Sequence, residues 1–157
     1  MDEKLLNEAT PAMELLDLHL YTCSLERMNC DYDIFSSEIK KNQKNSAEIN
    51  AEIFEPATKT ADQFQLLHVK ISLKIALYTE KDEENPIYII TACFLAKYMQ
   101  RYELNENALK EFIQFNSLHN VWPFWREHAL RTASLANLPK PQIQLMRLNR
   151  LKESATK

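Results

Sequence analysis

The 157 residues include no glycine, where average usage would place about 11. Phosphate-cradling loops of the Walker or dinucleotide kind need glycine so that backbone N–H groups can approach the phosphates, and neither can be built here. Most nucleotide-dependent chemistry therefore drops out. Two-residue hairpins also prefer glycine or asparagine at positive φ, so the turns are expected to be longer or to rely on Asn, Asp and Pro. Cysteine is sparse as well. Cys23, Cys30 and Cys93 are odd in number and far from a dense disulfide framework, and two lie in apolar strand-like runs, so they read as reduced, mostly buried thiols. No apolar run approaches the ~20 residues that span a bilayer, and Met1-Asp2-Glu3 lacks the basic and apolar regions of a signal peptide. The cytoplasm is the expected compartment.

What is present is ordinary for a folded chain. The apolar fraction of 45% and charged fraction of 26% lie near globular averages, and the length is that of one domain. The net charge of −3 is unevenly spread: from His119 to Lys157 seven Lys/Arg stand against two Glu, a local +5 that leaves −8 on the first 118 residues. A basic tail can draw nucleic acid or membrane. These cations are scattered at helical spacing, not stacked on one stripe, so no nucleic-acid partner is expected.

Strand signals come first and helix signals last. Leu67, Val69, Ile71, Leu73, Ile75 and Leu77 alternate with His68, Lys70, Ser72, Lys74, Ala76 and Tyr78, the period of a strand with one buried face. Leu16, Leu18 and Leu20 alternate in the same way, and the phase then slips to Cys23 and Leu25, which places a bulge near Thr22. Ala47, Ile49, Ala51 and Ile53 give a shorter strand ended by Pro56. Residues 87–96 are apolar on both faces and rich in β-branched and aromatic types, so that strand should be covered on both sides. Asn29 to Asn45, with Lys40, Lys41 and Lys44, reads as a long crossover loop, and Lys81 to Pro86 as a compact turn between adjacent antiparallel strands. From Asn105, a cap residue, the period becomes helical through Ala108, Leu109, Phe112, Ile113 and Phe115, with a second stretch from about Val121 to Ala136. Pro123 belongs in the first turn of that stretch or kinks a continuous helix. Leu138-Pro139-Lys140-Pro141 breaks the helix, and a final amphipathic helix is expected over Ile143–Leu151. The class is α+β: one four-stranded antiparallel sheet with its helices at the C-terminal end. The expected layout is a flexible arm over 1–12, one domain over 13–151 and a flexible tail over 152–157. A doubly apolar strand only partly covered by helices predicts self-association.

No residue set argues for catalysis. His19, Cys23 and Cys30 lack the paired, tightly spaced pattern of a structural zinc site, and His19 and Cys23 share a strand face only if no bulge intervenes. A Cys nucleophile needs a converging His and an orienting group. His119 and His128 have no evident partner, and Glu83 and Glu84 sit in a solvated turn. Neither cofactor nor metal is expected. The strongest local feature is Trp122, Phe124 and Trp125, readable as core packing or as the wall of an apolar groove that adapts to many side chains. Helical geometry separates 122, 125 and 129 from 124 and 128, so one face should be core and the other exposed, with Phe124 the most exposed of the three.

At this segment the sequence resembles the SecB-type export chaperones. Their main helix carries a Phe-Pro-Tyr-Ala-Arg-Glu-like motif, and Trp122-Pro123-Phe124-Trp125-Arg126-Glu127 stands in its place. Eleven residues separate Glu127 from Pro139, the family's interval to a proline that follows an aromatic side chain. Leu20-Tyr21-Thr22 resembles the Ile-Tyr-Thr run of the family's first strand. The resemblance implies four strands with a crossover after the first, two packed helices, and a homotetramer built as a dimer of dimers. It also implies ATP-independent holding of unfolded polypeptides and preproteins for translocation, in a hydrophobic groove lined by Trp122, Phe124, Trp125, Phe54, Ile143 and Leu145. Three departures bear on partners. Leu135, Ala136 and Asn137 replace family glycines, Cys23-Ser24-Leu25 replaces acidic residues, and Lys152 to Lys157 replaces an acidic tail that engages the SecA motor. Client binding is thus better supported than motor docking. SecB-like chaperones of toxin–antitoxin systems are an alternative, as is a structural or small-ligand-binding oligomer on the same fold.

Overall fold

The computed structural model describes residues 2–28, 33–54 and 65–146. Four strands form one antiparallel sheet: β1 (Met13–Arg27), β2 (Lys41–Phe54), β3 (Gln65–Thr79) and β4 (Tyr88–Gln100), in the order β1-β4-β3-β2. The outer positions of β1 and β2 require the chain to cross between opposite edges after Arg27, which is the connection of a Greek key. β1 carries the bulge expected near Thr22, where the register shifts between Leu20 and Thr22, and a second between Leu15 and Asp17. β2 starts earlier than alternation indicated, because the ladder runs from Lys41↔Thr79 to Phe54↔Leu66. Lys41, Lys44 and Asn45 therefore belong to a polar edge strand, a composition that discourages edge pairing. Pro56 lies outside the described residues.

In a chain without glycine, side chains close the turns. Between β3 and β4 the Asp82 carboxylate accepts backbone N–H bonds from Glu84 (3.1 Å) and Asn85 (3.0 Å), an Asx-type closure.

The sheet's two faces differ. On the helix side Leu67, Val69, Ile71, Leu73 and Ile75 of β3 and Tyr88, Ile90, Phe94, Ala96 and Tyr98 of β4 are buried. The other face carries Glu48, Asn50 and Glu52 of β2 beside His68, Lys70 and Ser72 of β3. There β4 presents Ile89, Thr91, Cys93, Lys97 and Met99 half-buried and only Leu95 buried. Residues 87–96, expected to be covered on both sides, are covered within the chain on one.

Two C-terminal helices, α2 (Glu106–Glu111) and α3 (Ser117–Leu135), lie on the apolar face, joined by a π-helical turn over Phe112–Asn116. Asn105 caps α2 by accepting from Asn107 N (2.9 Å), as its residue type predicts. Pro123 sits inside α3, so the stretch from Val121 has no start of its own. The stripe Ser117, Val121, Trp125, Ala129 and Ala133 recurs every four residues and is buried, and its two alanines let the helix backbone approach the sheet closely.

Two expectations are corrected. Residues 1–12, expected as a flexible arm, hold a short helix, α1 (Glu3–Ala9), and a 3₁₀ turn (Thr10–Ala12), with Leu6, Ala9 and Ala12 buried. α1 is capped by Asp2 and packs on α2, and the Asp2 N–H reaches Glu111 Oε2 at 3.1 Å. The final helix expected over Ile143–Leu151 does not begin where predicted, since residues 138–146 carry no helix. Residues 142–144 are instead bonded through their backbone to Gln43, Trp122 and Arg126. The remainder of that span, and the tail expected over 152–157, lie outside the described residues.

Candidate functional site

The residue at each position of α3 is fixed by the buried stripe, and the stripe leaves the helix narrower than the sheet beneath it. Apolar strand positions on both flanks stay uncovered, and two grooves result. The first, with about 460 Å³ of open space, runs toward β2: Leu118, Trp122 and Trp125 of α3 form one wall, Ala47, Leu73 and Ile75 lie beneath, and Gln142, Ile143 and Gln144 border it. The second, about 430 Å³, runs toward β1, between Phe124 and His128 of α3 and Leu18 and Leu20 of β1, with Phe94 below.

The expected groove residues are divided among several places. Trp125 is 2% exposed and stacks on His128, with ring centroids 6.4 Å apart. Trp122 is half-buried. Phe124 is 52% exposed and turns toward β1, so the three aromatics split across two faces as helical geometry requires. Phe54 is not in either groove. Its pairing with Leu66 and its ring contact with His68 (4.5 Å) put it on the sheet's opposite face, because the alternation that sends Ile53 inward sends Phe54 outward. Leu145 is 68% exposed and borders a third depression with Pro123, Arg126 and Leu130.

Ile143 has an unexpected position. It is half-buried against the core in the first groove, carried there by the chain's own residues 139–146. α3 ends in a 6→1 bond from Leu138 N to Ala133 O (2.9 Å) and a 5→2 bond from Asn137 N to Ser134 O (3.2 Å). This is a Schellman turn. Asn137 takes the left-handed position at φ 50, which glycine usually fills. The chain then runs back along the groove, and Tyr88 Oη–H donates to Pro139 O at 2.7 Å. The Trp122 indole donates to Gln144 O (2.8 Å) and Arg126 Nε–H to Ile143 O (3.1 Å). The Gln43 side chain bonds Gln142 twice, donating to its carbonyl (3.0 Å) and accepting from its N–H (2.8 Å). Gln43 and Tyr88 left no signal in the sequence, because their partners are backbone atoms, which every residue has; Arg126 stood out only as a member of the Trp122–Glu127 motif.

Electrostatics add little to either groove. Arg131 and Glu127 on the rim of the second are 3.8 Å apart and largely exposed, a geometry of small energetic weight. Burial holds His128 below the ordinary histidine range, against the opposing pull of Glu127, and its Nε2 is buried without a hydrogen-bond partner. Burial raises the Tyr88 and Tyr98 hydroxyls above the usual phenol range.

The residues considered for metal or thiol chemistry are separated. The bulge at Tyr21 sends His19 to the outer face, opposite Leu95, and Cys23 to the helix side, opposite Ala92. His19 pairs with Asp17 at 2.9 Å. Cys23, expected to be buried, is exposed because β1 is an edge strand outside the helix's reach, and Cys93 is half-buried. Cys30 lies outside the described residues. Among those residues no three His, Cys, Asp or Glu side chains gather as a metal site, and no helix is long and apolar enough to cross a membrane.

No protein-family model and no curated protein sequence matches the chain. Among solved structures it is similar to the SecB-like chaperone Rv1957 of Mycobacterium tuberculosis, determined in complex with a ChAD peptide from the Rv1956 HigA1 antitoxin. The TM-score is 0.74 at 13% sequence identity, over 92% of this chain and 97% of that one. The fold is the SecB-like one.

Proposed function

We propose that this protein is a holdase chaperone that keeps non-native polypeptides soluble by seating their apolar stretches in the grooves beside α3, without ATP. The observation that carries the proposal is the pair of open apolar grooves, one displaying Phe124 and the other already bonded to a non-helical stretch of polypeptide, residues 139–146. Both are open and mainly apolar, unlike an enzyme cleft, where a few polar groups converge on a reacting atom. The similar fold of a chaperone solved with a bound peptide supports the reading.

Of the biological settings, protection of an antitoxin is favoured by that neighbour's peptide. Export through a secretion motor is the weaker setting, since Cys23, Ser24 and Leu25 follow Tyr21-Thr22 where a motor-docking member would present acids. Assembly as a homotetramer is part of the proposal. Leu15, Leu16, Tyr21 and Leu25 are exposed along one edge strand, apolar surface outside the grooves that a second copy of the chain would cover. The cytoplasm is the proposed compartment.

The test is light scattering from a chemically denatured client diluted into buffer. With the protein in stoichiometric amount, aggregation should be suppressed equally with and without ATP. Unchanged aggregation would refute the proposal, and nucleotide-triggered release would refute its ATP independence.

A further inference from the structure

The segment in the first groove is held by its main chain. Five hydrogen bonds from four side chains reach it, from Tyr88, Arg126, Trp122 and, twice, Gln43, and all five end on backbone atoms of Pro139, Gln142, Ile143 and Gln144. The double bond pattern of Gln43 is that of a strand neighbour, since one planar amide takes both the N–H and the C=O of a single residue. Of this stretch Pro141 is buried and Ile143 is half-buried against the core, while Gln142, Gln144 and Leu145 are exposed. Such a receptor accepts any chain that offers a free N–H and carbonyl at one position, carbonyls at the next two, and an apolar side chain at the second. Those are the properties of an unfolded polypeptide and not of a particular sequence.

Resting on the holdase reading, we infer that Gln43, Trp122 and Arg126 are the client main-chain receptor of this groove, and that residues 139–146 are a built-in competitor that a client must displace. The two prolines suit a displaceable occupant. Pro139 and Pro141 have no N–H with which to lock the segment into a ladder with β2, so it is held at a few points instead of along its length.

The test uses the full chain and a permanently unfolded probe, reduced and carboxymethylated α-lactalbumin with a fluorescent label, read by anisotropy. Two variants weaken the resident segment without touching the receptor. Ile143→Asp unseats its apolar side chain, and Gln142→Pro deletes the N–H that bonds Gln43. Each should bind the probe more tightly, by about tenfold if the segment fills the groove about nine-tenths of the time. Adding Gln43→Leu to either should abolish the gain. A synthetic peptide of residues 139–146 should displace the probe from the Ile143→Asp protein. Thermal melting shows which variants remain folded, and the second serves if the first does not. Probe binding unchanged in folded variants, or indifferent to the peptide, would overturn the competitor and receptor while leaving the holdase reading standing. No probe binding by any form, wild type included, would remove both.

Discussion

Trp125 and Phe124 are adjacent in sequence and opposite in circumstance, one 2% and the other 52% exposed. Deleting a buried indole removes its transfer energy and leaves a cavity, so Trp125→Ala should cost about 3–5 kcal/mol. Phe124→Ala should leave the melting temperature nearly unchanged and weaken suppression of client aggregation. Chemical unfolding and light scattering on the two single variants separate these outcomes, and an early-melting Phe124→Ala protein with unaltered client suppression would refute the groove assignment. His128 gives a pH dependence. Its folded pKa lies below its unfolded value near 6.5 because burial disfavours the imidazolium. The unfolded chain therefore takes up its proton first as pH falls. The His128 contribution to stability is full above about 6.5, declines below that value, and levels off beneath the folded pKa. Melting curves from pH 8 to 5 should show this loss, and His128→Leu should reduce it. The carboxylates of Asp17, Asp82 and Glu106, held below their usual range by hydrogen bonds or cationic neighbours, lose their contribution only at lower pH, in the carboxylate range.

At the scale of elements, the end of α3 is the most exacting point. Asn137 at φ 50 occupies a region that Asn tolerates and β-branched residues avoid. Asn137→Val should reduce stability by roughly 1–2 kcal/mol, and Asn137→Gly should be close to neutral, as measured by urea unfolding. Burial on one face decided which elements were legible in the sequence. β3 could be read directly because one face is core and the other charged, and the bulge in β1 followed from the phase slip after Leu20. β2 was read six residues short at its start because Lys41 to Ser46 lie on an open edge, where burial imposes no alternation. α1 was missed because a seven-residue helix is too brief for a periodic signal, and its helicity depends on packing against α2. The apolar pattern after Ile143 suggested a helix, but the stretch to Met146 is held in the groove by side chains distant in sequence. In the grooves, the split between Trp125 and Phe124 was legible from helical geometry, whereas the face of Phe54 required the register of β2, and Gln43 required the fold itself.

For the whole molecule, the exposed apolar residues of β1 and the half-covered outer face of β4 predict burial against further copies. Sedimentation at micromolar concentration should give a tetramer, and a monomer alone would refute the assembly. The strand order has a second consequence, in the timing of synthesis. β1 is the first strand made, yet its ladder partner β4 is the last. About 60 residues separate Arg27 from Tyr88, so at roughly 5–20 residues per second β1 waits about 3–12 seconds on the ribosome before its partner exists. During that interval Leu15, Leu18, Leu20 and Leu25 form an unpaired apolar strand, so the nascent chain is for several seconds itself an aggregation-prone polypeptide.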